Sequence, residues 1–424
     1  MTMTGTRRIF GRLAAASLAV AALAGMSSPA SAQSGEPIRI GFSMALTGPL
    51  AAVGKSALLT MQIWEADTNA KGGLLGRPVK LVYYDDQSNP ATVPGIYTKL
   101  IDADKVELIV GPYATGQIAP SIPVAMQKGK VLVSLFGTAV NAEFKYDRYF
   151  SMIPTGPTPK PAFTKGFFEI AAAQNPKPET IAIVGADAEF GRVVCDGARE
   201  NAIADQLKIV YDKTYPPNST DMAPIIRAIQ ATNPDLVVIC SYPVESVAFV
   251  RAINEIGFKP KMIGGGMVGL QLTVFKTQLG PLLNGFVNYE TWLPAKTLES
   301  DLINDVIKKY QAKAGAEQVD PLGYYIPPWA YAQLQTLAAG VEGSKSIDDA
   351  KISDWLHKNP VKTVVGEIKF GPLGEWTTSQ MLQQQFVNIK ANTLDEFKDM
   401  SKQPILAPAN LATGKVIYPY EKAK

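Results

Sequence analysis

The run Leu236-Val237-Val238-Ile239-Cys240, followed by the amphipathic segment Glu245–Ile256, decides the fold class. All five residues of the run are apolar, and apolar and polar positions do not alternate as they would in a half-buried strand. An unbroken apolar run is typical of a strand that is covered on both faces of its sheet, and helices that follow each strand supply this cover. The unit therefore predicts an α/β fold built on a parallel sheet.

The same strand–turn–helix unit repeats in two series along the chain. Helices are predicted near Lys55–Asn69, after Pro90, from about Thr115, near Phe190–Ala204, Met222–Ala231, Glu245–Ile256, Leu302–Ala314 and Ala330–Gly340. The predicted strands are Ile38–Leu46, Val79–Asp85, Leu108–Gly111 and Val131–Ser134, then Ile181–Val184, Ile209–Tyr215, Leu236–Cys240 and Met262–Gly264. A chain of 424 residues accommodates two such units, so we expect two doubly wound parallel-sheet lobes.

Two proline-rich stretches mark where the chain passes between the lobes. Pro154–Pro161 holds four prolines and a glycine, and Leu293-Pro294 gives a later break. Prolines at 404, 408 and 419 oppose a long regular element near the end of the chain. We therefore predict lobe 1 at 37–154 plus about 291–366, lobe 2 at 155–290 plus about 367–395, and an irregular C-terminal tail at 396–424.

The first 32 residues have the pattern of a signal peptide. Arg7, Arg8 and Arg12 precede the apolar segment Leu13–Met26, and Ala30-Ser31-Ala32 fits a cleavage site before Gln33. We expect export to the periplasm by the general secretory route, with the twin-arginine route as the alternative because of Arg7-Arg8. The apolar segment is short for a membrane anchor.

Charge and cysteine content narrow the function further. The full chain carries a net charge of +3, and removal of the three leader arginines brings the mature chain near zero. No basic field for nucleic acid is therefore expected. Cys195 and Cys240 are the two cysteines, and the sequence leaves open whether they form a disulfide or serve as small buried hydrophobic residues.

Enzyme chemistry finds little support. The single histidine, His357, cannot build a His-rich metal site, and neither a Gly-x-Ser-x-Gly elbow nor a GxxxxGK[ST] phosphate loop is present. Gly264–Gly269 matches GxGxxG, but it comes late in the second series rather than in a first strand–helix turn. We therefore expect no catalytic residues, no metal and no cofactor. A small ligand is instead expected beyond the carboxyl ends of the strands, between the lobes.

Two segments resemble the branched-chain amino-acid binding protein family of ABC transporters. Leu46–Gly54 is similar to the loop after that family's first strand, and Asn69–Val79 with Asp85–Pro90 is a closer match. The similarity extends over about residues 38–390. It implies a type I periplasmic binding protein fold with three crossings and hinge closure. It also implies a membrane permease and a cytoplasmic ATPase as partners, and we expect a monomer.

The resemblance also indicates which residues bind the ligand. In the family, hydroxyl and backbone N–H groups of the first lobe hold a carboxylate, and aromatic residues of the second lobe line the cleft. The matching positions here are Tyr113, Ala114, Thr115, Phe136, Gly137 and Thr138 in lobe 1, and Phe190 and Tyr242 in lobe 2. Thr115 and Thr138 could alternatively cap helices, and Phe190 could alternatively pack in the core.

One departure from the family pattern bears on the ligand. Amino-acid binders place an acidic residue after the strand that corresponds to Met262–Gly264, and this position aligns with Gly266, followed by Met267. Without that carboxylate a buried ammonium group would lack a counter-charge. We therefore expect an aromatic acid, such as a benzoate or phenylpropanoid. The alternatives are a branched-chain or other amino acid, an amide, or a role as a ligand-sensing receptor subunit.

Overall fold

The computed structural model describes residues 35–424, so the predicted signal peptide and its cleavage site lie outside the described residues. Lobe 1 is built on a five-stranded sheet of order β2-β1-β3-β4-β5 whose strands are all parallel. Its elements are β1 (Ile38–Met44), α1 (Ala51–Ala70), β2 (Val79–Asp85), α2 (Val93–Asp102), β3 (Leu108–Val110), α3 (Thr115–Lys128), β4 (Leu132–Ser134), α4 (Val140–Phe144) and β5 (Tyr149–Ser151).

Lobe 2 continues the chain with the same alternation of strands and helices. Its first elements are α5 (Pro159–Ala172), β6 (Thr180–Ala186), α6 (Glu189–Ala204), β7 (Lys208–Tyr215), α7 (Ala223–Gln230), β8 (Leu236–Ser241), α8 (Pro243–Ile256), β9 (Met262–Met267), α9 (Thr273–Leu279) and β10 (Val287–Glu290). All six residues of β8 are buried, as the unbroken apolar run predicts.

The last third of the chain serves both lobes. Its elements are α10 (Asp301–Ala314), α11 (Pro327–Ser344), α12 (Asp349–Lys358), β11 (Val361–Thr363), β12 (Gly366–Ile368), β13 (Leu382–Gln385) and β14 (Ile405–Ala407). Helices α10 and α11 pack against α1 of lobe 1. The buried side chain of Gln333 in α11 donates to the carbonyl oxygens of Gly111 and Val133, both at 2.8 Å, which fixes this helix on the lobe 1 sheet.

The sheet of lobe 2 has the order β14-β13-β10-β9-β8-β6-β7. Its five strands from β6 to β10 are parallel, and at one edge β13 pairs antiparallel with both β10 and β14. The C-terminal tail is thus less irregular than expected, because β14 extends this sheet and Tyr420 is buried against Phe286. A three-residue edge strand between Pro404 and Pro408 has too few residues to show a periodicity in the sequence.

Three passages of chain join the lobes, at 152–158, 291–300 and 369–381, which confirms the type I fold. The first and third passages run side by side, since the indole N–H of Trp376 donates to the Ser151 carbonyl at 3.0 Å. The backbone N–H of Gln380 likewise donates to the Pro154 carbonyl at 2.8 Å. Within residues 35–424 no helix has the length and apolarity needed to cross a membrane.

The two family-like segments are neighbours in the structure. The Asp85 carboxylate accepts hydrogen bonds from the backbone N–H groups of Leu46 and Thr47, at 2.9 and 3.2 Å, and from the Thr47 hydroxyl at 2.6 Å. The Asn69 side chain pairs in both directions with the backbone of Val79, at 2.9 and 2.8 Å. Asp85 therefore joins the loops at the carboxyl ends of β1 and β2, whereas Asn69 joins the end of α1 to the start of β2.

The first four residues of the glycine-rich motif, Gly264–Met267, lie inside β9, and its last two residues follow in a turn. Gly264 has φ +134°, and a Cβ atom at this position would lie 2.0 Å from the Val287 carbonyl oxygen. The glycine is thus required by the close approach of β9 and β10. This placement provides no strand-to-helix phosphate loop, so the motif match has no dinucleotide-binding geometry here.

Candidate ligand-binding site

The carboxyl ends of strands from both sheets meet around a small interior cavity. Its volume is about 20 Å³, which is room for about one water molecule. A ligand of several heavy atoms therefore requires the lobes to part or the lining side chains to move. The lining residues are Tyr113, Ala114, Thr115, Phe136, Thr138 and Ile153, then Phe163, Phe190, Tyr242, Val268, Tyr289 and Tyr325.

The polar part of the wall comes from lobe 1, at the N-terminus of α3. Ala114 precedes the helix with φ +80°, an uncommon conformation for a residue with a side chain. The Thr115 hydroxyl oxygen accepts the backbone N–H of Thr138 at 3.1 Å, which leaves its own proton available. The Thr138 hydroxyl is buried and has no hydrogen-bond partner among the described residues. Together with the N–H groups of the first helical turn, these hydroxyls suit an anionic oxygen.

Aromatic rings form the remainder of the wall. In lobe 2 the Phe190 ring lies 5.4 Å from that of Phe163 and 5.6 Å from that of Tyr242, measured between ring centroids. In lobe 1 the Phe136 ring lies 5.7 Å from that of Tyr325. Because all of these rings meet edge-on or tilted, a flat apolar ligand would find aromatic faces and edges on several sides.

Three tyrosine hydroxyls connect the two lobes across the cavity. Tyr325, which precedes α11, has its hydroxyl 3.2 Å from that of Tyr113 in lobe 1 and 3.1 Å from that of Tyr289 in β10. Burial raises the pKa of all three phenols well above the ordinary value. The hydroxyls therefore stay protonated and act as neutral hydrogen-bond donors and acceptors.

None of the twelve residues that line the cavity carries a charged side chain. Two carboxylates are adjacent in sequence to lining residues. Glu189 precedes Phe190 and is paired with Arg192 at 3.0 Å, and Glu290 follows Tyr289 in β10 and points to the other face of that strand. There it lies 3.6 Å from the buried Lys276 ammonium, and burial raises the pKa of Glu290 to about 7. Glu290 is therefore committed to Lys276 and supplies no counter-charge to the cavity.

Seven of the ten residues that the sequence indicated line this cavity, and three do not. A Cβ atom on Gly137 would contact Val140 and Tyr149, away from the cavity. A Cβ atom on Gly266 would lie 3.1 Å from Val194 of α6, so this position faces the core between β9 and its covering helix. Met267 is fully buried in the core of lobe 2. Val268 lines the cavity after β9, and it is also uncharged.

Five lining residues were missed by the sequence interpretation. They are Ile153, Phe163, Val268, Tyr289 and Tyr325. Ile153 and Tyr289 lie beside the first and second chain passages, where the floor of a two-lobed cleft is located. The proline-marked passages were therefore the available signal for these two positions. Tyr325 had no such signal, because it depends on how α11 packs against the sheet.

A larger outer cleft of about 480 Å³ lies between the N-terminal ends of α3 and α6. Tyr242 lines both this cleft and the inner cavity. Arg192 is the cationic residue among those lining the cleft, and its guanidinium is paired with Asp187 at 3.2 Å and Glu189 at 3.0 Å. The outer cleft therefore forms the mouth of the site, and Tyr242 separates it from the interior.

Two α/β lobes around a shared cavity, joined by three passages, define a two-lobed solute-binding protein. Residues 35–424 contain no acidic, histidine or cysteine cluster able to hold a metal. The chain belongs to the periplasmic binding protein family, whose pattern matches residues 37–388. Members of this family are the non-enzymatic, periplasmic solute receptors of ABC transporters, and they deliver small ligands to a membrane permease.

Similar proteins include binders of two ligand classes. The Leu/Ile/Val-binding protein of Escherichia coli K12 is 25% identical over 345 residues, covering 80% of this chain and 88% of that protein. A branched-chain amino acid binding protein from Streptococcus pneumoniae, solved with isoleucine, superposes with a TM-score of 0.70 at 19% identity, covering 91% and 100%. A solute-binding protein from Rhodopseudomonas palustris, solved with benzoate, gives 0.72 at 15% identity, covering 90% and 97%.

The orientation of Gly266 generates a prediction about stability. Gly266→Glu would place a carboxylate against Val194 between β9 and α6, without a cation, and should lower the free energy of unfolding by about 3 kcal/mol or more. Gly266→Ala adds one methyl group at the same place and should cost about 1 kcal/mol. Urea unfolding of both variants measures this difference. Unchanged stability of Gly266→Glu would mean that position 266 faces open space.

Proposed function

We propose that this protein is the periplasmic receptor of an ABC importer for a small aromatic carboxylate. The observation that carries the proposal is the combination of aromatic rings, free hydroxyls and a helix N-terminus in a cavity whose lining has no charged side chain. A carboxylate would accept hydrogen bonds from Thr115, Thr138 and the first N–H groups of α3. The ring of the ligand would pack among Phe136, Phe163 and Phe190.

An α-amino acid is the competing ligand, because relatives carry branched-chain amino-acid names and one similar structure holds isoleucine. Its carboxylate would fit the same donors. Its ammonium group would be buried without a counter-charge, since Glu290 is paired with Lys276 and Glu189 with Arg192. An uncompensated buried charge costs several kcal/mol, which favours a ligand without an ammonium group.

A thermal-shift screen followed by calorimetry tests the ligand class. Benzoate-type carboxylates should raise the melting temperature and bind with 1:1 stoichiometry, because a ligand of the folded state stabilises it by RT ln(1 + [L]/Kd). Benzamide, the matched neutral amide, should bind more weakly because it lacks the anionic oxygens. If leucine, isoleucine or valine stabilises the protein and no aromatic carboxylate does, the proposed ligand class is wrong.

Thr138 gives a second test, in which affinity and stability should separate. Its hydroxyl is buried and without a partner in the described chain, so Thr138→Val should leave the free energy of unfolding unchanged or raise it by about 1 kcal/mol. The same change should weaken carboxylate binding about tenfold, because a ligand hydrogen bond is lost. Calorimetry and urea unfolding measure the two effects.

Thr336→Val is the matched control for Thr138→Val. The Thr336 hydroxyl is also buried, but it donates to the Ala332 carbonyl at 2.9 Å in α11 and does not line the cavity. This variant should lose some stability and keep its ligand affinity. Equal affinity of Thr138→Val and the unaltered protein would show that the Thr138 hydroxyl does not contact the ligand.

A further inference from the structure

The chain of tyrosine hydroxyls on the cavity wall has more O–H donors than hydrogen bonds. Tyr113, Tyr325 and Tyr289 contribute three O–H groups, and these make two hydrogen bonds, at 3.2 and 3.1 Å. Whichever way the two bonds run, one hydroxyl proton has no acceptor within residues 35–424. Tyr113 and Tyr325 are 3% exposed and Tyr289 is 2% exposed, so bulk water does not accept a hydrogen bond from that hydroxyl.

We propose that this tyrosine chain recognises an oxygen substituent on the ring of the ligand, so that hydroxy-substituted aromatic carboxylates are preferred over unsubstituted ones. The proposal rests on the proposed function and specifies its substrate class. A ring hydroxyl accepts a hydrogen bond from the tyrosine O–H that has no partner, and it donates a hydrogen bond to a tyrosine oxygen. A ring hydrogen or methyl group at the same place leaves the buried donor unpaired, which a hydrogen-bonding site penalises strongly.

The arrangement of the wall gives the two oxygen functions of such a ligand separate partners. The carboxylate has the threonine hydroxyls and the N-terminus of α3, whereas the ring hydroxyl has the tyrosine chain. Burial raises the pKa of each tyrosine, so the chain does not become an anion that would repel the carboxylate. The chain therefore offers hydrogen bonds without adding a charge.

Calorimetric titration of benzoate, 3-hydroxybenzoate and 4-hydroxybenzoate into the full mature protein tests the proposal. We expect at least one hydroxybenzoate to bind about tenfold or more tightly than benzoate. In the triple variant Tyr113→Phe, Tyr289→Phe, Tyr325→Phe the ratio of the two Kd values should fall to about one, because every hydroxyl of the chain is gone. Tyr331→Phe is the control, since its hydroxyl donates to Asp67 and does not line the cavity.

The outcomes separate this inference from the function on which it rests. Benzoate binding as tightly as both hydroxybenzoates, or an unchanged ratio in a triple variant that melts cooperatively, overturns the role of the tyrosine chain alone. A wild-type protein that binds no aromatic carboxylate overturns the proposed function and this inference with it. The wild-type comparison does not depend on the folding of any variant.

A second inference concerns the two cysteines, on an independent observation. Cys195 of α6 and Cys240 of β8 are both fully buried, and their Sγ atoms lie 2.8 Å apart, closer than two non-bonded sulfur atoms pack. Gly185 of β6 makes this approach possible, because a Cβ atom there would lie 2.5 Å from the Cys195 sulfur and 3.2 Å from the Cys240 Cβ. The space between α6 and the sheet is thus shaped to bring the thiols together.

We propose that Cys195 and Cys240 form a disulfide in the exported protein. Formation of the bond removes two protons and two electrons from the thiols, and the electron acceptor is the disulfide of a periplasmic thiol–disulfide oxidoreductase, which becomes a dithiol. Burial raises the pKa of Cys240 in the folded protein, so the exchange belongs to the folding step, before the core closes. The bond would tie α6 to β8, which position Phe190 and Tyr242 on the cavity wall.

Intact-mass measurement of the protein exported to the periplasm tests this assignment. The protein is denatured with a thiol-alkylating reagent present, either directly or after reduction. We expect no alkyl groups without reduction and two after it. The double variant Cys195→Ala, Cys240→Ala should have a melting temperature about 5–10 °C lower, because the cross-link restricts the unfolded chain. Two alkyl groups on the unreduced protein would overturn the disulfide, whatever the stability of the variant.

Discussion

The structure depends on the rule that a parallel sheet brings the loops after all its strands to one edge. Each lobe has such an edge, and the three chain passages turn these edges towards each other. The ligand site therefore needs no continuous stretch of sequence, since it collects one or two residues from each of several loops. The strands themselves are covered by helices on both faces and can consist almost entirely of apolar residues.

The sequence was sufficient for the architecture and for seven of the residues that line the candidate cavity. An unbroken apolar run located the interior strand Leu236–Ser241, because burial on both faces leaves a signal in every residue. The three-residue strands Leu108–Val110 and Leu132–Ser134 lie within apolar runs and were predicted, but the short strand Ile405–Ala407, between two prolines, was missed. Its pairing is decided by the partner strand, and this information lies elsewhere in the chain.

Within the site, the residues that follow strands directly were easier to place than those that depend on packing. Thr115 and Phe190 follow predicted strands at a helix start, and they line the cavity. Gly266 was misplaced because β9 continues three residues beyond the predicted strand, and alternation along a strand decides which face a residue occupies. At the cavity itself the residue that follows β9 is the uncharged Val268, and the carboxylates of Glu189 and Glu290 are each paired with a cation.

The small volume of the inner cavity has a kinetic consequence. With about 20 Å³ between the rings, this conformation has no space for a ligand of several heavy atoms. Association must then wait for the lobes to part or the lining side chains to move, so at high ligand concentration the observed rate should level off at the rate of that opening and not rise with ligand concentration. The receptor would thus set an upper limit on the rate of capture, however abundant its ligand becomes.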